Sequence, residues 1–172
     1  MPLSMNALLA IAQTGPSFAR LIDGTFVPTR HIAEANRFVA DFVSAAERFV
    51  GVPYLWGGKT RFGVDCSGLL QTALQAAGRE CPRDSDMQEA ELGQSLEGNP
   101  HLDGLERGDL VFWNGHVGIM TDGFMLLHAN AHHMAAIVEP VRTAVERLAR
   151  AGLPICSIRR LPPAPAAGAP QP

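Results

Sequence analysis

The sequence has no excess of positive charge and no cluster of basic residues. Its 172 residues include 14 Lys and Arg against 17 Asp and Glu, which gives a formal net charge of -3, and the pI is near 6.0. A chain of this charge produces no long-range field that would attract a phosphate backbone. We therefore expect no nucleic-acid partner.

Cysteine is also scarce, since the chain has only Cys66, Cys81 and Cys156. Three widely spaced cysteines suit neither a disulfide framework nor a zinc knuckle, and an odd number leaves at least one free thiol. The pair His132 and His133 has no paired Cys or Glu motif beside it. We therefore expect no metal and no cofactor.

Long hydrophobic runs are missing as well. No stretch approaches the roughly 20 apolar residues that a membrane span needs. The apolar run from Ala7 to Ala12 has no basic residue before it, since the first is Arg20, and this is a poor match to a secretory signal. We expect a protein without a membrane span that resides in the cytoplasm, with a periplasmic or secreted location as the alternative.

Three segments in the first half of the chain have a helical pattern. Over residues 34–50 apolar residues recur at intervals of three and four, and the segment CSGLLQTALQAAG at 66–78 repeats that period, so each predicts an amphipathic helix. A shorter helix should run from about Asp84 or Ser85 to about residue 92, because Ser85 is a good N-cap. Length and composition predict one globular domain with attachments.

The second half has the texture of short strands. It contains DLVFWN, HVGIMT and FMLLHAN, separated by Asn114-Gly115 and Asp122-Gly123, which are strong hairpin signals. The segments AAIVEPV and PICSIRRL add further strands, with VRTAVERLARAG as a helix between them. Helices followed by a run of strands predict an α+β fold with an antiparallel sheet.

A chemically suggestive cysteine lies where a glycine-rich loop meets the second helix, in Asp65-Cys66-Ser67-Gly68. The unpaired N–H groups and the positive dipole end of a helix favour an anion, which predicts a lowered thiol pKa and a nucleophilic thiolate at Cys66. The alternative is an inert buried cysteine, which is how we interpret Cys81 and Cys156.

Two histidines are candidates for the base that such a thiol requires. His116 begins HVGIMT and His128 lies near the end of FMLLHAN. If the turn between these strands is tight, antiparallel pairing makes the two imidazoles neighbours. His116 would then act as general base and acid, and His128 would orient it. A lone histidine is more often structural, but three residues with consistent geometry favour catalysis.

Six blocks resemble the NlpC/P60 cysteine peptidases in the same order along the chain: PYLWGG, DCSGLL, RDSDMQ, GDLVFW, GHVGIM and LLHAN. The resemblance implies a papain-like α+β fold in which N-terminal helices pack on a central antiparallel sheet of about five or six strands. It implies Cys66 as nucleophile, His116 as base and His128 as the third residue. It also implies hydrolysis of the γ-D-glutamyl to diamino acid (meso-diaminopimelate) bond of bacterial peptidoglycan stem peptides or muropeptides. The residues alone indicate only acyl transfer by a cysteine.

The same resemblance assigns roles to residues around the thiol. Tyr54 matches a tyrosine whose hydroxyl can hydrogen-bond the substrate or the developing oxyanion; the alternative is an aromatic core residue. Asp65 and Ser67 would line the pocket for the N-terminal part of the substrate, where a carboxylate suits a free amine. Asp65 could instead simply cap the helix.

Arg83, together with Asp84 and Ser85, matches a segment that borders the same pocket. A guanidinium there could hold the α-carboxylate of D-glutamate bidentately. The alternative is an ordinary surface arginine.

The domain organisation follows from the same comparison of motifs. In residues 1–33 the segment RLIDGTFVPTRHI predicts one or two strands around Asp23-Gly24 and resembles the last strands of an SH3-like domain, so we expect a remnant of such a β domain or a linker. Residues 34–161 should form the peptidase domain. Residues 162–172, which are rich in Pro and Ala, should be a disordered tail. We expect a monomer.

Two other functions remain open from the sequence. The fold class also includes amidases and acyltransferases that act on other amides or on lipids. A catalytically silent wall-binding module would be marked by a lost nucleophile or base, whereas all three candidate positions are occupied here.

Overall fold

The centre of the molecule is a six-stranded sheet, seen in a computed structural model that describes residues 3–96 and 102–163. In chain order the elements are β1 (Ile11–Thr14), β2 (Phe18–Leu21), β3 (Phe26–Pro28), α1 (Phe42–Glu47), β4 (Lys59–Thr60), β5 (Gly63–Val64), α2 (Cys66–Ala76), α3 (Ser85–Glu91), β6 (Gln94–Ser95), β7 (Leu110–Trp113), β8 (His116–Met120), β9 (Met125–Asn130), β10 (Ala135–Pro140), α4 (Val141–Arg150) and β11 (Ile155–Arg160).

The large sheet has the strand order β10-β9-β8-β7-β11-β6, and its paired strands are antiparallel throughout. The predicted strands at 109–130 are confirmed as β7, β8 and β9, with Gly115 in the left-handed conformation (φ 72°) that the first tight turn requires. The two later strands and the helix between them are confirmed as β10, β11 and α4. The predicted α+β fold is therefore correct.

Helices cover both faces of this sheet. On one face α1 and α2 form the larger core with the sheet residues Val117, Ile119 and Leu127. On the other face α4 packs through Val141 and Ala144. Side chains alternate along a strand, so neighbouring residues of β8 and β9 belong to different cores. That alternation decides on which face each polar side chain of the site lies.

The helix predicted over residues 34–50 is wrong in its first half. Only Phe42–Glu47 is helical, because Asp41 caps the helix by accepting a hydrogen bond from the Val43 amide at 2.9 Å. Before this cap, the backbone N–H of Val39 donates to the carbonyl of Ala76 in α2, so this part of the chain is held by α2 and not by helical hydrogen bonds. The other two predicted helices are confirmed as α2 and α3.

The first part of the chain forms a separate small sheet in the order β1-β2-β3. The predicted strands on either side of Asp23-Gly24 are confirmed as β2 and β3, and Asp23 accepts a hydrogen bond from the Thr25 amide in the turn. Strand β1 was not predicted. The SH3-like origin of residues 1–33 stays a prediction, and residues 164–172 of the predicted tail lie outside the described residues.

Within residues 3–96 and 102–163, no helix combines the length and the apolar character that a bilayer crossing needs.

The packing of α2 predicts a measurable stability effect. Leu70 is fully buried in the larger core, so Leu70→Ala removes buried methyl groups and leaves a cavity. We expect the free energy of unfolding to fall by about 2–5 kcal/mol, measured by urea denaturation. The control is Leu8→Ala, because the Leu8 side chain is 85% exposed. A loss as small at position 70 as at position 8 would contradict this packing.

Candidate active site

Cys66 is the first residue of α2 and is largely buried, with 9% of its surface exposed. The backbone N–H of Val117 acts to lower the pKa of the Cys66 thiol, so this amide lies near the sulfur. Val117 directly follows His116 on β8, so the fold brings the sulfur to the strand that carries the candidate base. A direct contact between the Cys66 thiol and either imidazole stays a prediction.

The start of α2 is held by the Asp65 carboxylate. Asp65 caps the helix by accepting the Gly68 N–H at 2.7 Å, and its other oxygen accepts the Gly57 N–H at 2.7 Å. The preceding loop also touches the helix: a Cβ added to Gly68 would lie 2.3 Å from the Gly58 carbonyl oxygen. Only glycine at position 68 permits this close approach. The capping role, which the sequence left as an alternative for Asp65, is the one observed.

Arg83 is engaged within the protein. Its guanidinium forms a bidentate ion pair with Asp65, at 3.0 and 2.7 Å, and also donates to Ser67 Oγ at 2.8 Å. The structure thus brings Asp65, Ser67 and Arg83 together at the start of α2, as the motif implied. The Arg83 side chain is paired with Asp65 and Ser67, which corrects the surface-residue alternative; its contact with a substrate carboxylate stays a prediction.

The segment after Arg83 leads into α3. Asp84 occupies the N-cap position without a side-chain capping bond, and Ser85 is the first helical residue. Gln88, which the sequence did not single out, is fully buried and its side-chain amide donates to the Ser67 carbonyl at 3.0 Å. Gln88 therefore ties α3 to the helix start that bears the thiol.

The two candidate histidines are neighbours, as predicted. His116 Nε2 and His128 Nδ1 are 2.8 Å apart, and the ring centroids are separated by 5.1 Å. His128 is almost fully buried, with 1% exposure, while His116 is half-buried at the start of β8. This pairing of two imidazoles is the arrangement that a base and its orienting residue require.

Sequence reasoning missed the residues beyond His128. Glu139 Oε1 lies 2.8 Å from His128 Nε2, and Arg147 of α4 holds the Glu139 carboxylate bidentately at 2.8 and 2.6 Å. Asn130 Nδ2 also lies 3.0 Å from His128 Nε2. A signal did exist: in a β9–β10 hairpin, Glu139 is the diagonal neighbour of His128 on the same face. Finding it requires the register, which the sequence alone did not supply.

Tyr54 lies near the thiol. It is half-buried, and its backbone N–H donates to the Met134 carbonyl at 2.9 Å. Burial raises the pKa of the Tyr54 hydroxyl, and the charges of Cys66 and Asp65 raise it further. These shifts place the Tyr54 hydroxyl in the same region of the molecule as Cys66 and Asp65. Tyr54 also packs against the larger core, so the core alternative and the site position coexist.

The part of the chain that the structure describes has no group of three or more His, Cys, Asp or Glu residues arranged to hold a metal ion. The site is therefore built from a thiol, two imidazoles and their hydrogen-bond partners.

The model of the NlpC/P60 family matches residues 51–147, which include the thiol, both histidines and Glu139. The chain belongs to the NlpC/P60 family.

Two curated relatives show how far the likeness extends. The chain is 33% identical over 123 residues to the gamma-D-glutamyl-L-lysine dipeptidyl-peptidase of Bacillus subtilis (strain 168), which covers 67% of this chain and 38% of the relative. It is 36% identical over 90 residues to the probable endopeptidase NlpC homolog of Haemophilus influenzae, covering 51% of this chain and 46% of the relative. The chain thus spans less than half the length of either protein.

Solved structures agree with the family. The NlpC/p60 domain of the peptidoglycan hydrolase SagA superposes with a TM-score of 0.55 at 28% identity, covering 71% of this chain and 97% of that domain. An NlpC/P60 family protein from Bacillus cereus ATCC 10987 gives a TM-score of 0.67 at 23% identity, covering 91% of this chain and 54% of that protein. The second likeness shows the fold alone.

The protonation states of this NlpC/P60 site differ from the sequence-based expectation. Burial raises the pKa of the Cys66 thiol, although N–H groups of Val117, Ser67 and Cys66 itself act in the opposite direction. The expected lowering by the helix start is therefore wrong for the free protein, because desolvation outweighs it. Burial also lowers the pKa of His116 to about 3 and that of His128 to about 4. At neutral pH the free site holds a neutral thiol and neutral imidazoles.

These shifts predict how Cys66 reacts with iodoacetamide. A thiol whose pKa lies above its usual value of about 8.5 reacts slowly at pH 6, and its rate should rise with pH to beyond that value. Peptide-resolved mass spectrometry of the alkylated protein measures the rate, and exposed Cys156 in the same digest confirms that the reagent is active. Fast labelling of Cys66 that does not change between pH 5 and 8 would refute the neutral resting state.

The ion pair at the helix start predicts a second effect. Arg83→Met leaves the buried Asp65 carboxylate without its charged partner, so we expect the free energy of unfolding to fall by about 3 kcal/mol, measured by urea denaturation. Arg150→Met is the control, because the Arg150 side chain is 80% exposed and its pair with Glu146 is 3.5 Å long. Equal effects at the two positions would show that Arg83 acts as a surface residue.

Proposed function

We propose that this protein is a cysteine peptidase that hydrolyses the γ-D-glutamyl to diamino acid bond of bacterial peptidoglycan stem peptides or muropeptides. The observation that carries the proposal is the helix-start Cys66 sulfur, which lies near the amide that follows His116, together with the His116–His128 pair at 2.8 Å. The bond specificity is supported by the likeness to the Bacillus subtilis relative, a gamma-D-glutamyl-L-lysine dipeptidyl-peptidase.

The proposed reaction begins with proton transfer from the Cys66 thiol to the His116 imidazole. The neutral states of both groups in the free protein make this a general-base step that accompanies attack on the substrate carbonyl. The developing sulfur anion is stabilised by the Val117 N–H and by the start of α2.

The attack converts the substrate carbonyl to an oxyanion. The backbone N–H of Cys66 at the start of α2 and the hydroxyl of Tyr54 are the groups that we propose to donate to it. Both belong to segments that are held in place: Asp65 caps the helix, and the Met134 carbonyl accepts the Tyr54 N–H.

Collapse of the tetrahedral intermediate expels the amine of the diamino acid, which takes the proton from His116. The product at this stage is a thioester between Cys66 and the γ-carboxyl of D-glutamate. Water activated by His116 then hydrolyses the thioester and restores the thiol. Asp65, Ser67, Arg83, Asp84 and Ser85 are proposed to border the N-terminal part of the substrate.

The proposal predicts the outcome of removing the nucleophile. Cys66→Ala should abolish cleavage of L-Ala-γ-D-Glu-meso-diaminopimelate, followed by mass spectrometry of the products, while circular dichroism shows an intact fold. Cys156→Ala is the matched control, because Cys156 is exposed and distant in sequence from the site, and it should retain activity.

Residual cleavage by Cys66→Ala would rule out the thiol mechanism. A wild-type protein that consumes a different amide or an ester but not this peptide would favour the amidase or acyltransferase alternative. Binding of purified sacculi without any product would instead favour the wall-binding module.

A further inference from the structure

A line of four polar side chains crosses the strands β8, β9 and β10 and ends on α4. His116 contacts His128 at 2.8 Å, His128 contacts Glu139 at 2.8 Å, and Arg147 forms a bidentate pair with Glu139. His128 and Glu139 are both buried. Three of the four ring nitrogens, His116 Nε2 and both nitrogens of His128, have a polar partner, so the direction of the protons can be deduced.

The Glu139 carboxylate determines that direction. Burial opposes its ionisation, but the hydrogen bonds from Arg147 and His128 outweigh burial and lower the pKa of Glu139 to about 2. An ionised carboxylate can only accept hydrogen bonds. The 2.8 Å contact therefore requires a proton on His128 Nε2, and the neutral ring then has an unprotonated Nδ1.

The consequence passes to the next ring. His116 Nε2 lies 2.8 Å from the unprotonated Nδ1 of His128, so His116 must carry its proton on Nε2. In the neutral imidazole this leaves Nδ1 of His116 as the nitrogen that can accept a proton.

One contact favours the opposite direction. Asn130 Nδ2 lies 3.0 Å from His128 Nε2, and the amide is oriented this way because Asn130 Oδ1 accepts the His133 N–H at 2.8 Å. If Nε2 accepted from Asn130, the protons of both rings would move to Nδ1. The carboxylate prevails in our interpretation, because an unprotonated Nε2 would place its lone pair against an anion at 2.8 Å, and a charge-assisted hydrogen bond is the stronger of the two.

We propose that Glu139, held by Arg147, is a positioning residue that fixes His128 and His116 as Nε2–H tautomers and so makes His116 Nδ1 the base. The part that concerns catalysis rests on the proposed function. When His116 Nδ1 takes the thiol proton, the resulting imidazolium keeps its Nε2–H bond to His128, and the Glu139 carboxylate stabilises the added positive charge through the His128 ring. The Arg147 charge limits that stabilisation, since it opposes positive charge on both rings.

The tautomers can be observed without any activity. Long-range 1H–15N correlation spectra of 15N-histidine-labelled protein at pH 7 distinguish protonated from unprotonated ring nitrogens. We expect Nε2–H for both His116 and His128, assigned with the His116→Gln and His128→Gln variants. Nδ1–H on either ring in the wild type would overturn the proposal and favour Asn130 as the determinant.

Glu139→Gln tests the cause. The neutral amide can donate as well as accept, so we expect the Nε2–H population of His128 to fall and kcat/KM to drop by about 10- to 100-fold, with KM nearly unchanged. Asp109→Asn is the matched control, because Asp109 is also buried and is paired bidentately with Arg160 at 2.7 and 2.8 Å. The extended chain from Asp109 to Trp113 spans about 13 Å, and Trp113 pairs with His116 across β7 and β8. Asp109 is therefore separated from the His pair.

The control should leave both tautomers and kcat as in the wild type. Unchanged tautomers in folded Glu139→Gln would refute the proposal.

If Glu139→Gln does not fold, Arg147→Gln takes its place. The carboxylate remains in this variant, so the tautomers should persist while the pKa of His128 rises. A His128 pKa that stays or falls would contradict the arrangement. A wild type with the expected tautomers but no peptidase activity would refute the proposed function and leave the tautomer assignment standing.

Discussion

The Asp65 carboxylate is the constraint on which the site depends. It caps the helix that begins at Cys66, accepts the Gly57 N–H from the loop after Tyr54, and pairs with Arg83 from the segment before α3. Three separate pieces of chain are thereby fixed to one buried group. Burying a carboxylate costs free energy unless its oxygens are fully hydrogen-bonded, so this anchor is stable only when all three pieces are in place. Through Asp65, the loop at Gly57, the start of α2 and the segment at Arg83 are held together next to Cys66.

The second polar cluster is the line of side chains from His116 to Arg147, which lies on the sheet and on α4. The His pair belongs to the face that α4 covers, where Leu126 and Val141 pack, whereas α2 covers the opposite face. His116 lies at the beginning of β8, and the amide of the next residue, Val117, lies near the Cys66 sulfur. Burial of the line keeps both imidazoles neutral, and the Glu139–Arg147 pair compensates for the buried polar groups. The candidate thiol and both imidazoles are consequently uncharged at neutral pH.

Predictions from the sequence succeeded or failed according to whether the deciding interaction is local along the chain or joins distant segments. Helix α2, helix α3 and the β7–β8–β9 meander follow from periodicity, capping and turn residues, which are local. Residues 34–41 have a helical pattern but form no helix, because the Asp41 cap and a hydrogen bond from Val39 to α2 outweigh propensity. The predicted lowering of the Cys66 thiol pKa was wrong for a related reason. The start of the helix is visible in the sequence, but the burial that outweighs its effect on the pKa is not.

The sequence by itself determined the α+β class, the family motifs, and the identity of the candidate thiol and of the two imidazole residues that the fold pairs. Only the tertiary structure decided that Arg83 pairs with Asp65, that Gln88 holds the carbonyl of Ser67, and that Glu139 and Arg147 extend the His pair. The physical reason is that motifs and periodicity report on neighbours along the chain, whereas hydrogen-bond partners and desolvation depend on strand register and packing between distant segments.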